Sequence, residues 1–181
     1  MKSFIDNAMS RTVSVLLFIL LASCTSIPEG IKPVTDFNSD NYLGTWYEVA
    51  RFDHSFERGL ENVTATYTRR ADGGIDVLNR GFNQTLDEWD EANGKAYFVG
   101  EQTVGHLKVS FFGPFYASYI VMAVDTEAYQ YSLVTGPSRD YLWILARRPK
   151  IDQGELNKLL HFAEQQGFNT SELIWVKHSS R

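Results

Sequence analysis

A recurrence of short apolar segments of strand length, punctuated by turn chemistry, constrains this chain most. The turn-forming groups Ala71-Asp72-Gly73-Gly74, Asn93-Gly94, Gly113-Pro114 and Gly136-Pro137 divide the chain at close intervals. The segments around them predict strands over 44–51, 63–70, 75–81, 94–99, 106–112, 118–124, 129–135 and 140–147. Eight antiparallel neighbours joined by tight turns read as an all-β, up-and-down barrel, which leaves no sheet edge exposed. At this strand number the interior holds side chains or one small ligand.

One helix interrupts the pattern. Asp152 is placed to cap it, with Glu155 three residues on as a capping-box partner, Ile151 and Leu156 as a hydrophobic staple, and Gly167 just past its end. Leu156, Leu159, Leu160 and Ala163 form a single apolar stripe, so this C-terminal α-helix is expected to pack outside the barrel. Residues 173–176 add an edge strand or pack beside the helix.

The amino-terminal residues speak to compartment rather than fold. Lys2 and Arg11 precede an apolar run at 13–21, too short for the roughly 20 residues of a membrane span. The run ends in Leu21-Ala22-Ser23-Cys24, and Cys24 is the only cysteine of the 181 residues. This resembles a bacterial lipoprotein signal, which implies cleavage after residue 23 and lipidation of Cys24. Thr25 next to it, rather than Asp, implies the outer membrane, on its periplasmic face. Residues 24–37, with Pro28, Gly30 and Pro33, read as the lipidated cysteine and a spacer that holds the domain at 38–181 clear of the headgroups. A net charge of −5 without a basic run argues against nucleic acid as a partner.

Gly44-Thr45-Trp46-Tyr47-Glu48 resembles the first sequence motif of the lipocalins, G-x-W-Y-E. Val124-Asp125 with Tyr129 is similar to the second, with Val in place of Thr, and Arg147 matches the basic residue that ends the last barrel strand. The stretches Arg51-Phe52-Asp53-His54-Ser55-Phe56-Glu57-Arg58-Gly59-Leu60 and Arg139-Asp140-Tyr141-Leu142-Trp143-Ile144-Leu145 resemble the branch of bacterial lipocalins that are lipoproteins, to which apolipoprotein D is more distantly related. The resemblance implies an eight-stranded lipocalin barrel that binds fatty acids or lysophospholipids and serves envelope maintenance by storage or transport. It also implies that Arg147 lies over the face of Trp46 at the closed end, a structural cation-π contact. No cofactor or metal is implied, and monomer and homodimer both stay open.

Strand alternation then names a cavity lining, since residues two apart share a face. If Trp46 points inward, so do Glu48 and Ala50; with Arg147 go Leu145, Trp143 and Tyr141. On the second strand an apolar interior selects Val63, Ala65 and Tyr67 over the threonines. The third strand contributes Ile75, Val77 and Asn79, the fifth Leu107, Val109 and Phe111, the sixth Tyr119, Val121 and Ala123. Tyr67, Asn79, Tyr119 and Tyr141 are the polar candidates for orienting a ligand, and Arg51 or Arg58 near the mouth suits a carboxylate or phosphate. The loop 52–62 is expected to act as a lid exposing Phe52, Phe56 and Leu60, with its charged residues pairing locally. The alternative is that its aromatics pack beneath it.

Two other classes compete. An enzyme would need a nucleophile and base converging in the cavity, but there is no G-x-S-x-G, no H-E-x-x-H and no phosphate loop, and consecutive Asp53-His54-Ser55 cannot form a triad. A structural or adhesive lipoprotein would fill its barrel with its own side chains, whereas inward alanines leave room for a guest.

Overall fold

The structure is a computed structural model and describes residues 25–179; the signal expected at 1–23 and the lipidation expected at Cys24 lie outside them. A short helix α1 (Ser39–Tyr42) leads into β1 (Gly44–Arg51), β2 (Leu60–Arg69), β3 (Ile75–Asn83), β4 (Glu88–Phe98), β5 (His106–Ser110), β6 (Ala117–Val124), β7 (Tyr131–Thr135) and β8 (Leu142–Ala146). Helix α2 (Gln153–Gln165) and a two-residue β9 (Ile174–Trp175) follow. Each of the first eight strands pairs antiparallel with its sequence neighbour, and β1 closes the barrel by pairing with both β2 and β8. β9 adds itself to the far end of β1, opposite Ala50 and Arg51. The expected barrel and its single packed helix are therefore present, with one extra strand.

The largest departure in element bounds is β4. Asn93-Gly94, read as a turn, sits mid-strand opposite Leu78 and Val77. A side chain at Gly94 would meet the Phe111 ring at 2.8 Å, so the glycine answers to a close approach rather than to a bend. The real β3–β4 turn is built by Asn83, whose Oδ1 accepts from the backbone N–H groups of Thr85 and Leu86. Tyr129, expected to open the seventh strand, has φ 52 and belongs to the preceding turn. Asp125 organises that turn by accepting from the N–H groups of Glu127, Ala128 and Gln130.

Three register shifts interrupt the period of two: in β1 between Glu48 and Ala50, in β2 between Glu61 and Thr64, and in β6 between Val121 and Ala123. Each adds one residue to one strand and turns everything beyond it to the opposite face. Ala50 and Ala123, expected inside, accordingly pack in the outer cluster with Ile120, Leu133, Ile144 and the α2 residues Leu156, Leu159 and Ala163. The inner cluster holds Phe37, Tyr42, Trp46, Tyr67, Val77, Val121 and Leu145.

Helix α2 seals the outer cluster, and its ends obey capping chemistry. Asp152 accepts from the N–H groups of Gly154 and Glu155. At the other end the Phe168 N–H reaches the Ala163 carbonyl and the Gly167 N–H reaches that of Glu164, a Schellman pair that requires the φ of +85 at Gly167. The reciprocal half of the capping box is absent, because the Glu155 carboxylate turns to Lys158 at 2.8 Å and to Tyr131.

The stretch read as a spacer does not stand off from the barrel. From Ser26, whose carbonyl accepts from Ser118 Oγ at 2.8 Å, the chain runs along the β5–β6 wall. Ile31 and Phe37 are buried, and Val34 exchanges backbone bonds with Val121 and Gly105. Arg139 holds the Glu29 carbonyl at 2.7 Å and that of Gln166 at 2.8 Å, fastening this lead-in to the end of α2. Its apolar residues, spaced among Pro and Gly, bury themselves on the sheet instead of extending into solvent.

At the closed end the Arg147 guanidinium lies 3.9 Å above the Trp46 ring and donates to the carbonyls of Asn41, Leu43, Thr45 and Tyr129. Trp46 is 0% exposed and donates its Nε1–H to the Tyr42 carbonyl at 2.8 Å. Gly44, with φ +92, lets the guanidinium pass: a Cβ there would stand 3.4 Å from Arg147 Nη1. Arg147→Met should leave these carbonyls without their donor and cost about 2–4 kcal/mol, a fall in Tm of roughly 10 °C. Calorimetry would measure the loss, and ligand affinity below the transition should stay unchanged; an unaltered Tm would refute the structural role.

Candidate functional site: the mouth and lumen of the barrel

The odd-to-even connections, β1–β2, β3–β4, β5–β6 and β7–β8, gather at the end opposite Trp46 and Arg147 and form the mouth. Just inside it the shift at Val49 brings Glu48 and Arg51 to the same inner face, although they are three residues apart. Arg51, 2% exposed, donates from Nη1 to Glu48 Oε1 at 2.8 Å and from Nη2 to the Glu57 carbonyl at 2.6 Å. The Glu57 carboxylate approaches Arg51 Nε at 3.7 Å and accepts from Trp143 Nε1 at 3.2 Å. Glu57 belongs to the β1–β2 loop, so that loop is tied into the lumen by a charge rather than resting loosely as a lid.

His54, on the same loop, completes the cover. Its ring stacks on Phe56 and Tyr141 at centroid distances of 5.2 and 4.8 Å and lies tilted against Trp143 at 4.9 Å. Burial and the Arg51 charge hold the imidazole below its usual pKa, so it is neutral near pH 7. Phe52, expected to be exposed, is buried against Phe168, and Leu60 is half-buried; Phe56 alone of the three faces solvent. The expected pairing within the loop is present for Arg51 with Glu57. Arg58 instead pairs with Asp53 at the surface, 2.7 Å apart, and Glu61 with Lys177 and Gln84.

Burial pushes the Glu48 carboxyl well above the usual range, the Glu57 charge adds to this, and Arg51 opposes it. Burial likewise raises Glu57, against the Trp143 N–H and Arg51. Two carboxyls around one guanidinium are neutral when they hold a single proton, and both shifts favour that state.

Below the mouth, the inner cluster carries a belt of hydroxyls. Tyr67 and Tyr42 each lie 2.8 Å from Tyr119, oxygen to oxygen, Tyr42 reaches Ser132 at 3.2 Å, and Ser132 donates to the Ala123 carbonyl. Donation in the order Tyr67, Tyr119, Tyr42, Ser132 satisfies every O–H. Burial raises all three phenols, Tyr42 to about 12, so the belt stays protonated at physiological pH.

Of the residues expected to line a ligand, the structure gathers Ala65, Tyr67, Val77, Val109, Tyr119, Val121 and Trp143 around the inner cluster. Tyr141 joins them at the mouth through its stack with Trp143. Asn79 lies on the inner side of β3 opposite Ala65, and its buried Oδ1 has no hydrogen-bond partner. Ala50 is outside, removed by the Val49 shift. The inward residues Ala65, Val109 and Trp143, and Tyr119 of the belt, are only half-buried, in contrast to the sealed floor at Trp46. Two polar atoms at the mouth, Arg51 Nε and His54 Nε2, also lack partners within hydrogen-bonding distance.

The buried triad has a testable pH signature. Folded carboxyls that hold protons more tightly than unfolded ones make stability greatest at low pH and progressively smaller as pH rises from the unfolded value, about 4.3, through the raised folded values. Arg51→Met removes the cation that opposes this and should cost about 3–5 kcal/mol at pH 8 but clearly less at pH 5. Glu48→Gln, which keeps an acceptor for Arg51, should cost under about 1 kcal/mol and flatten the dependence. Urea unfolding at the two pH values measures both, and an equal loss for Arg51→Met at each would contradict the shared-proton description.

A family model described as a lipocalin-like domain matches residues 37–178. The outer membrane lipoprotein Blc of Vibrio cholerae is 55% identical over 163 residues, spanning 90% of this chain and 95% of that protein. Apolipoprotein D of Mus musculus is 29% identical over 147 residues, 76% of this chain and 75% of that one. Among solved structures, insecticyanin from the tobacco hornworm Manduca sexta superposes with a TM-score of 0.69 at 18% identity, covering 85% of this chain and 87% of that one, a likeness of fold alone. With the barrel, the Trp46–Arg147 clamp and a family match over most of its length, the chain belongs to the lipocalin family.

Proposed function

We propose that the chain is a lipid-binding outer-membrane lipoprotein, anchored through Cys24, that holds a fatty acid or lysophospholipid in its lumen for storage or transport in envelope maintenance. The observation that carries this reading is the inner, mostly apolar wall of Ala65, Val77, Val109 and Val121, buried at Val77 and Val121 and only half-buried at Ala65 and Val109, which shares its face with the unpartnered Oδ1 of Asn79. An acyl chain against that wall gains roughly 0.8 kcal/mol for each methylene removed from water. The Tyr67 and Tyr119 hydroxyls are already engaged with one another, so these residues contribute ring surface. Asn79 Oδ1 needs a donor, which the glycerol hydroxyl of a lysophospholipid supplies and a fatty carboxylate does not. Arg51, buried at the mouth with its Nε unpartnered, is the candidate cation for a carboxylate or phosphate. The lipoprotein reading is supported by the Leu21–Cys24 sequence and by the similarity to the outer membrane lipoprotein Blc of Vibrio cholerae.

Native mass spectrometry of the purified chain, with organic extraction and titration by fatty acids and lysophospholipids, tests it. Single-chain lipid should bind with one-to-one stoichiometry. Ala65→Trp should weaken all such ligands about tenfold or more, and Asn79→Leu should weaken lysophospholipid more than fatty acid. A barrel that takes up no lipid would instead favour a structural lipoprotein with a self-filled interior.

A further inference from the structure

The exposed large apolar side chains are distributed unevenly along the barrel axis. Among the described residues they are Phe56, Leu86, Trp89, Phe112, Phe115, Ile174 and Trp175. Phe56 lies in the β1–β2 loop, Leu86 in the β3–β4 loop, and Phe112 and Phe115 in the β5–β6 loop, so these four crown the mouth at 64%, 62%, 82% and 72% exposure. Trp89 is the second residue of β4 beyond the mouth loop, and Ile174 pairs with Arg51, the last residue of β1. None of the seven is on the β2–β3, β4–β5 or β6–β7 connections of the closed end. Isolated surface hydrophobics are ordinary, but large ones gathered on one rim mark a surface that meets apolar matter.

The path of the lead-in says what that matter is. Ser26 is bonded to Ser118, the second residue of β6, immediately after the loop that carries Phe112 and Phe115. Cys24 lies two residues upstream, at most about 7 Å of chain away. The lead-in is thus fastened to the outer wall of β5 and β6 within two residues of that cysteine, which leaves a lipid chain on it no free spacer to carry the barrel off. The mouth cations are already engaged: Arg58 in an ion pair with Asp53, Arg139 with two carbonyls, and Lys108 with the Tyr116 ring at 5.1 Å. The surface is built for the hydrocarbon boundary rather than for headgroup charge.

We infer that the mouth rim docks on the bilayer holding the anchor, with Phe56, Leu86, Phe112 and Phe115 inserted below the headgroups, so that a single-chain lipid enters the lumen from the membrane without crossing water. This rests on the proposed lipid-carrier reading and adds the route. Docking is predicted on zwitterionic bilayers and persists at high salt.

The test uses the lipidated full chain in phosphatidylcholine vesicles containing brominated lipid. Because the Cys24 thiol is blocked by its lipid, a polarity-sensitive fluorophore can be placed singly at Leu86→Cys on the mouth or Ala71→Cys at the closed end. Bromine should quench the first at both low and high salt and leave the second untouched. The combined variant Phe112→Ser and Phe115→Ser should stay anchored, lose the quenching, and take up pyrene-labelled lysophosphatidylcholine from vesicles at least about tenfold more slowly, with affinity for the same probe in solution unchanged. Quenching at residue 71, or uptake from vesicles unaffected by the two serines, would overturn the inference, as would burial of the Leu86 label in a vesicle-free dimer. Loss of probe binding in solution by the unaltered chain would instead strike the carrier reading itself.

Discussion

Everything in this molecule hangs on how β1 is shared. One strand closes the barrel against β2 over its first half and against β8 over its second, and it carries β9 at its tip. No flat strand with strict alternation can serve the floor, the mouth and the outer helix seat at once. The extra residue at Val49 resolves this. Below it, Trp46 and Glu48 face the lumen; above it, Ala50 turns out to the cluster beneath α2 and Arg51 turns in. The β1 shift thus decides the helix seat and the position of the lumen charge together, which is why the two cannot be altered independently.

That placement explains the mouth. A buried guanidinium is costly unless matched, and matching it draws Glu57 and the loop that carries it down over the opening. The stack of His54 on Tyr141 then gives the cover a flat aromatic underside. Charge and ring packing together make the β1–β2 loop part of the wall, where the length and polarity of residues 52–62 suggest a loose flap.

Much of the fold was readable because it rests on local signals. β1, the closed-end motif residues, and both caps of α2 are written in residues whose chemistry acts within a few positions. The Trp46–Arg147 pair became legible through family resemblance, since nothing local joins residues 101 positions apart in sequence. What escaped was set by partners. The shifts at residues 49 and 122 carry no sequence mark of their own, so period-two counting sent Ala50 and Ala123 to the wrong face. Gly94 looks like a turn glycine until the Phe111 ring is seen lying against it. Sequence places Arg51 only near the mouth, and gives Glu57 and His54 no place in the lining, because charged residues beside a loop are ordinarily solvated; only burial reveals that these are not. Asn79 was legible from alternation, but not that its oxygen would lack a partner.

The lead-in has a mechanical side. A pull arriving at the amino-terminal end meets the barrel first at the Ser26–Ser118 bond, then at the Glu29 carbonyl held by Arg139, and only afterwards at the paired strand-like contacts of Val34. Because Arg139 also grips the last turn of α2, tension would be shared between the sheet wall and the helix terminus instead of peeling one strand away. The barrel is in this sense harnessed at two points, and a drag on it relative to whatever holds residue 24 is resisted as a load on the whole scaffold.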